Sequence, residues 1–458
     1  MSDAQVQAPW RCALVIGLGR SGRAAATLLQ ALGVHVRAYD ARAEVPGVDP
    51  GLELFIGSKD APDEAFEGID LLVLSPGVPP QAFRETAAAV APEAAIHGEL
   101  SLALDLVHRD FYPQWPTVPT VLITGTNGKS TVTALCGALL EADGRHPFIG
   151  GNLGIPLCER LHQTMTGESA WVDGLVIECS SYQLETLPPT PTAVAMILNI
   201  SPDHLDRYDS YEHYARTKGR IFAGLGETGL ALLDADDEWT ERLQPSDARV
   251  RRVGEAGVAV LDGEGDAQQL VIGDERYDRS SLRISGGHNA RNALFALLAA
   301  RELGVSPEAC RRGLAEFGGL PHRMVRVRDL DDVAYYNDSK ATNVASALAG
   351  LGGLDRPFVL IAGGLSKGDD LKPLGDLIAA RGRGLVVIGT SADQFAALGE
   401  GVVDVAHAGA MDDAVEKARA MAKPGEAVVL APACASFDQY ESYAQRGDMF
   451  VAAVMALS

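Results

Sequence analysis

The run Leu122-Ile123-Thr124-Gly125-Thr126-Asn127-Gly128-Lys129-Ser130-Thr131 has the residue types of a phosphate cradle. An apolar strand enters a glycine turn, and a Lys-Ser pair opens a helix. The apolar residues of that helix, Val132, Leu135, Cys136, Leu139 and Leu140, follow the i, i+3, i+4, i+7, i+8 spacing of one buried face. Such a turn aims backbone N–H groups and the positive helix end at an anion. Lys129 would reach the terminal phosphates, and the Ser130 hydroxyl would complete a Mg²⁺ shell. Ile123 stands where the general phosphate-loop pattern has its first glycine. A plain glycine turn before a buried helix is the alternative reading of this segment.

Further chain segments offer partners for a phosphate. Glu178 closes the apolar strand Val176-Ile177, where open α/β sheets place ligands, and a carboxylate there can hold Mg²⁺ between phosphates. His204 follows another apolar strand and reads as a metal or phosphoryl ligand or as a structural histidine. Lys218 reads locally as a surface lysine. Gly17-Leu18-Gly19-Arg20-Ser21-Gly22 matches G-x-G-x-x-G between a strand and a helix, and Asp40 ends the next strand near the spacing of a ribose-binding acid. Taken alone this suggests NAD, but the physics of the turn concerns diphosphates, and Arg20 and Arg42 add positive charge beside it. Three polar loops lie late in the chain, Tyr336 to Asn343, Gly363 to Gly368 and Pro432 to Asp438. Each follows an apolar strand, so a parallel sheet would bring all three to one edge.

The elements that must hold these residues alternate in type. Strands are expected at Cys12 to Gly17, Val34 to Asp40 and Asp70 to Ser75, with a helix over Gly22 to Leu32. A proline-rich stretch, Tyr112 to Pro119, reads as a linker. A second unit has strands at Thr120 to Thr124, Gly174 to Cys179 and Ala193 to Ile200 and an amphipathic helix over Asn289 to Leu303. After Phe317-Gly318-Gly319-Leu320-Pro321, strands at Phe358 to Ala362, Gly384 to Ile388 and Ala427 to Leu430 alternate with helices. The rhythm predicts three α/β domains in series with parallel sheets.

Composition narrows the function classes. A net charge of −22 over 458 residues repels nucleic-acid backbones and anionic lipid, so neither is an expected partner. The six cysteines are scattered without a C-x-x-C pair, which points to reduced core thiols rather than a zinc site or disulfides. No apolar run is long enough to span a bilayer, and Met1 to Arg11 lacks the apolar stretch of a signal peptide. A cytoplasmic address is expected.

As an ordered set, the motifs resemble the Mur ligase family over essentially the whole chain. The series runs G-L-G-R-S-G, T-G-T-N-G-K-S-T, G-G-N-L-G, I-E-C-S-S-Y-Q-L, N-I-S-P-D-H-L-D-R-Y, G-G-H-N-A-R-N-A, P-H-R, Y-N-D-S-K-A-T-N, A-G-G-L-S-K-G-D-D and A-P-A-C-A-S-F-D-Q-Y…R-G. The resemblance implies a Rossmann-like N-terminal domain over 1–112 that binds a UDP substrate. It implies a P-loop ATPase-like central domain over 113–318 and a Rossmann-like C-terminal domain over 319–458 that serves the amino-acid and ATP sites.

The implied reaction is ATP-dependent amide formation in peptidoglycan precursor synthesis, through an acyl phosphate. The C-terminal motif points to D-glutamate as the amine, and the resemblance implies UDP-N-acetylmuramoyl-L-alanine as the acid. Carried over by position, Gly125, Thr126, Asn127, Gly128, Lys129, Ser130 and Thr131 would hold ATP phosphates. Asn289 and Asn292 would contact adenine or ribose, and Arg323 and Asp338 would approach ATP from the third domain. Two Mg²⁺ sites are implied, with Ser130 and Glu178 at the first and His204 at the second. Lys218 matches a lysine that the family carbamylates into a metal ligand. Gly19, Ser21, Asp40, Arg42 and Gly77 would hold the UDP end, with Asn152 at the muramoyl part. Lys340, Thr342, Lys367, Ser436 and Tyr443 would form the D-glutamate pocket, in a monomer. Tyr443 stands where the family usually has Phe, and Ala41 replaces a usual polar residue. The segment Asp234 to Tyr277 matches weakly and is assigned nothing. The alternatives are another Mur-type or folylpolyglutamate-type ligase, an NAD oxidoreductase built on the first domain, and a nucleotide sensor without turnover.

Overall fold

Short apolar runs separated by amphipathic segments become parallel strands buried on both faces, because each crossover helix covers the sheet it returns to. The computed structural model describes residues 8–49, 51–109, 118–204, 207–264, 267–284, 286–366 and 368–458. The core of the stretch expected as a linker, 110–117, lies outside them.

The first sheet contains β1 (Cys12–Ile16), β2 (His35–Asp40), β3 (Glu53–Ile56), β4 (Leu71–Leu74) and β5 (Ala95–Gly98), in the order β3-β2-β1-β4-β5. All its pairings are parallel. The order reverses at β1, so a crevice opens between the ends of β1 and β4, where such sheets bind ligands.

The second sheet is built from β6 (Thr120–Thr124), β7 (Pro147–Gly151), β8 (Gly174–Glu178), β9 (Val194–Ile197), β10 (Leu230–Asp234), β11 (Arg249–Val253), β12 (Ala259–Asp262), β13 (Gln269–Ile272) and β14 (Glu275–Asp278). Its order is β14-β13-β12-β11-β10-β9-β6-β8-β7. Pairing is parallel from β7 to β12 and antiparallel from β12 to β14. The segment without an assigned role thus supplies the edge of this sheet. Its strands, such as Arg249-Val250-Arg251-Arg252-Val253, are half polar because one face meets water, so no apolar run marks them.

A continuous apolar cluster joins these two sheets. It includes Leu100 and Leu104 of the helix after the first sheet, Leu157 and Leu161 of the helix after β7, and Leu175 of β8. The chain accordingly divides into two compact units, Met1–Leu282 with His288–Phe317, and Arg283–Gly287 with Gly318–Ser458.

The second unit holds β15 (Val325–Leu330), β16 (Val333–Asn337), β17 (Phe358–Gly363), β18 (Gly382–Ile388), β19 (Asp404–His407) and β20 (Ala427–Leu430), in the order β15-β16-β20-β17-β18-β19. Only the β15–β16 pair is antiparallel. Apolar clusters cover both faces, one around Phe358 and Leu360 and the other around Val359 and Ile361. The six cysteines are free thiols, five of them buried. Among the described residues no helix is long and apolar enough to cross a membrane.

Candidate active site

β6 lies between β9 and β8, so the loops after these three strands meet at one sheet end. The glycine turn leaves β6 with Gly125 at φ +154° and Gly128 at φ +83°, conformations that side-chained residues rarely adopt. A Cβ on Gly128 would stand 2.7 Å from Asn292 Oδ1, which places Asn292 against the turn. Asn292 Nδ2 in turn donates to Asn289 Oδ1 at 3.3 Å. The Lys129 ammonium curls over the turn and donates to the Gly125 and Thr126 carbonyls at 2.8 and 2.7 Å. Ser130 and Thr131 begin the helix Lys129–Ala142 and are buried with it.

The turn is pinned from β9 by residues the sequence reading did not single out. Asn199 accepts from the Asn127 N–H at 2.8 Å and donates back to the Asn127 carbonyl at 3.1 Å. The Ser201 N–H donates to Thr126 Oγ1 at 3.0 Å. Both follow β9 directly, and position after an apolar strand was the one signal that could have found them.

Glu178 closes β8 in register with Ile123 on one side and Gly151 on the other. Its Oε1 accepts from Asn152 Nδ2 at 2.7 Å, while Oε2 is buried without any hydrogen-bond partner. A buried carboxylate oxygen left unpaired is costly, and a cation at that place would satisfy it. The unpaired Glu178 oxygen therefore fits a Mg²⁺ ion. Among the described residues no three His, Cys, Asp or Glu side chains gather into a metal group. A magnesium ion that keeps waters and phosphate oxygens as ligands needs no such group.

Lys218 on the helix Tyr211–Gly219 is 2% exposed, so its reading as a surface lysine is overturned. Its ammonium reaches Gly125 O at 2.9 Å and Thr124 Oγ1 at 3.3 Å. Burial, reinforced by the positive charge of Lys129, holds its pKa well below the ordinary lysine value. His204 sits at φ +54° with Nδ1 3.0 Å from the Tyr182 hydroxyl and Nε2 3.6 Å from Asp203.

The crevice at the end of β1 and β4 is a cleft of about 670 Å³. Gly19, Ser21, Asp40, Arg42, Gly77 and Asn152 all line it, as do Lys59, Tyr39 and Phe83, which sequence reasoning missed. Arg42 does not stand there as an open cation. It grips Asp40 through Nε and Nη2 at 2.9 and 2.7 Å, and the Leu18 N–H donates to the same carboxylate at 2.8 Å. The guanidinium holds the Asp40 carboxyl far below the usual carboxylate range. Arg20 donates to the Gly154 carbonyl at 2.8 Å and lies 3.6 Å from Glu159. The positive charge expected from these arginines is thus partly spent within the protein. With both Asp40 oxygens engaged, the ribose contact that an NAD reading needs is also taken. Asn152 touches this cleft and Glu178 at once, so the cleft borders the phosphate cradle.

In the second unit Asp338 follows β16 and is 4% exposed, and burial pushes its pKa up to about 7 against the opposing charge of Arg323. Its Oδ1 accepts from the Met324 N–H at 3.1 Å. Lys340 Nζ stands 5.7 Å from the Tyr443 ring centroid, and the Thr342 N–H donates to the Lys340 carbonyl at 2.9 Å. The Ser436 hydroxyl is buried without a hydrogen-bond partner. Lys367 lies outside the described residues.

Residues 11–98 match the Mur ligase MurD-like N-terminal domain, 123–300 the Mur ligase middle domain and 322–434 the Mur ligase glutamate ligase domain. The chain is 37% identical over 456 residues to the UDP-N-acetylmuramoylalanine–D-glutamate ligase of Syntrophotalea carbinolica, covering 97% of each chain. It is 39% identical over 459 residues to the enzyme of that name from Myxococcus xanthus, covering 97% of this chain and 98% of the other. The crystal structure of the UDP-N-acetylmuramate-alanine ligase of Thermotoga maritima superposes with a TM-score of 0.61 at 17% identity, covering 98% of this chain and 99% of that one, and shares the fold.

Proposed function

Because this chain belongs to the Mur ligase family, we infer that it joins D-glutamate to UDP-N-acetylmuramoyl-L-alanine at the expense of ATP, in peptidoglycan precursor synthesis. The observation that carries the reading is Asn152. One residue lines the 670 Å³ cleft and hydrogen-bonds the half-unsatisfied carboxylate beside the phosphate cradle. A nucleotide-sugar acid lying in the cleft would therefore extend its carboxylate toward the terminal phosphate.

A carboxylate is a poor acyl donor until one of its oxygens becomes part of a good leaving group. Its oxygen attacks the γ-phosphorus, the bond to the β-phosphate oxygen breaks, and ADP leaves with that electron pair. The amine of D-glutamate then adds to the acyl carbon, phosphate departs and the amine loses a proton. Little covalent chemistry falls to the protein, so its work is placement and neutralisation of charge. Lys129 turns from the loop carbonyls to the transferred phosphoryl group. Residues 125–131 offer their N–H groups to the phosphates, and Asn289 and Asn292 take the adenine or ribose. Mg²⁺, held by Ser130 and Glu178 at one site and His204 at a second, would quench phosphate charge.

Lys218 is assigned a carbamate. A lysine whose burial and positive neighbour favour the neutral amine is a nucleophile for carbon dioxide. Its nitrogen bonds the carbon, one N–H proton leaves, and the neutral amine becomes a carbamate anion able to ligate metal. Gly19, Ser21, Asp40, Arg42 and Gly77 are assigned to the UDP end. Arg323 and Asp338 are assigned to ATP, and Lys340, Thr342, Lys367, Ser436 and Tyr443 to D-glutamate.

The test is phosphate release from ATP with UDP-N-acetylmuramoyl-L-alanine and single amino acids in turn. D-Glutamate alone should support turnover. Preference for another amino acid would replace the substrate assignment, and no dependence on the UDP compound would sink it.

A further inference from the structure

Arg446 is 0% exposed, the largest fully buried side chain among the described residues. It sits in the first turns of the helix Tyr443–Ala456, one turn before Phe450 on the buried face. Its Nε donates to Ser339 Oγ at 3.0 Å and one terminal nitrogen to the Ser339 carbonyl at 2.8 Å. The other terminal nitrogen reaches the Cys434 carbonyl at 3.1 Å and the Ala435 carbonyl at 3.4 Å. Among the described residues none of its hydrogen-bond partners is a carboxylate. Desolvating a guanidinium against neutral oxygens is expensive, and an apolar side chain would fill the same volume at less cost. What an apolar residue could not do is span several loops at fixed angles, which the planar fork does.

The gripped atoms are neighbours of the residues assigned to D-glutamate. Ser339 precedes Lys340, and Ala435 precedes Ser436. Ser339 Oγ passes the linkage on by donating to the Tyr443 carbonyl at 2.8 Å. The Gly363–Gly364 turn is drawn in as well, since a Cβ on Gly364 would meet Ala435 O at 2.5 Å and Arg446 at 3.4 Å. The next residue completes the device. A Cβ on Gly447 would stand 2.2 Å from His322 Nδ1, and the Gly447 carbonyl accepts from Asn337 Nδ2 at 3.0 Å. Arginine followed by glycine thus seats the helix start against the loops after β16, β17 and β20.

We propose that Arg446 is the positioning residue of the amino-acid pocket, setting the spacing of the Lys340, Ser436 and Tyr443 segments and supplying a fixed positive charge beneath a dicarboxylate. This rests on the D-glutamate reading of those residues. Burial lowers the Arg446 pKa to about 10, which leaves it charged at neutral pH.

The experiment is steady-state kinetics of the full chain with each substrate varied in turn. Arg446→Met should raise the KM for D-glutamate by about 30-fold or more, as truncating a buried hydrogen-bonded charge does. The KM values for ATP and the UDP compound should stay within about two-fold. Arg446→Lys, which returns the charge without the fork, should recover part of the loss. If Arg446→Met does not fold, Ser339→Ala removes one gripped oxygen and should raise the D-glutamate KM alone, by about three-fold. An unchanged D-glutamate KM, or an equal loss for all three substrates, overturns the proposal. Should the unaltered chain use a different amino acid, the functional reading fails instead, and the same split is read on the KM of that amino acid.

Discussion

Two glycine turns in the first unit look alike and behave differently. Each leaves a central parallel strand, each bends through positive φ, at Gly17 (+85°) and at Gly128 (+83°), and each opens a helix. In the first, glycine serves close packing: a Cβ on Gly22 would stand 1.9 Å from the Gly17 carbonyl, and Ser75 Oγ donates to that carbonyl at 2.6 Å. The arginines nearby are occupied by Asp40, Gly154 and Glu159. In the second, two lysines crowd a single carbonyl at Gly125, and a half-satisfied carboxylate lies on the adjacent strand. The lesson is that a glycine turn reports only that backbone can approach something. On the proposed reading, the charges around it and their partners decide whether a triphosphate with its cation or the end of a nucleotide sugar is held.

The contrast breaks most visibly at Lys129. Lys129→Ala should lower turnover by about three orders of magnitude, the scale of several kcal/mol for a charge aimed at a transferring group. Near-normal phosphate release would remove the distinction between the turns. Lys218→Ala should cost about a hundred-fold, the size of one lost metal ligand or its support, and added formate or acetate should restore part of it if a carbamate normally stands there. Absence of rescue would leave Lys218 as a buried amine without a carbamate.

A third prediction concerns the seam between the sheets that carry the turns. Glu99 is 1% exposed, Oε1 accepts from the Cys158 N–H at 2.7 Å, and burial raises its pKa to about 7. The folded chain keeps that proton at pH values where the unfolded chain has lost it. Stability therefore falls as pH rises from about 4.5 to about 7, and the penalty is complete above that range. Glu99→Gln keeps the acceptor and cannot ionise, so it should gain on the order of 2 kcal/mol at pH 8 and little at pH 5. Denaturant unfolding at the two pH values measures this, and a constant difference contradicts it. The smallest effect belongs to the first turn. Arg42→Ala should raise the KM for the UDP compound by only about three-fold, because its partner is already Asp40. A hundred-fold rise would make that arginine a true phosphate ligand and erase the contrast from the other side.

Much of the site was legible in the sequence because its residues close apolar strands. Lys129 and Ser130 follow β6 and Glu178 ends β8, and a parallel sheet forces such residues to one rim, while Asp338 follows β16 of a separate sheet. Ile123, where a glycine was absent, is a buried strand residue paired with Glu178. What escaped was set by tertiary packing. Lys218 occupies a helix position that reads as solvated until neighbouring elements cover it. The state of Arg42 depends on where one carboxylate oxygen points, which spacing does not encode. The strands of the segment Asp234 to Tyr277 lie at a sheet edge, where polar residues are tolerated and the periodic signal fades.

Asn152 has a thermodynamic consequence. Its amide is oriented by Glu178, and its other surface borders the 670 Å³ cleft assigned to the nucleotide sugar. Two ligands that touch opposite sides of one side chain do not bind independently: whatever factor a divalent cation adds to the affinity for the sugar, the sugar must add to the affinity for the cation. Calorimetric titration of the UDP compound with and without Mg²⁺ reads that reciprocity directly, and Asn152→Ala should reduce it toward simple additivity.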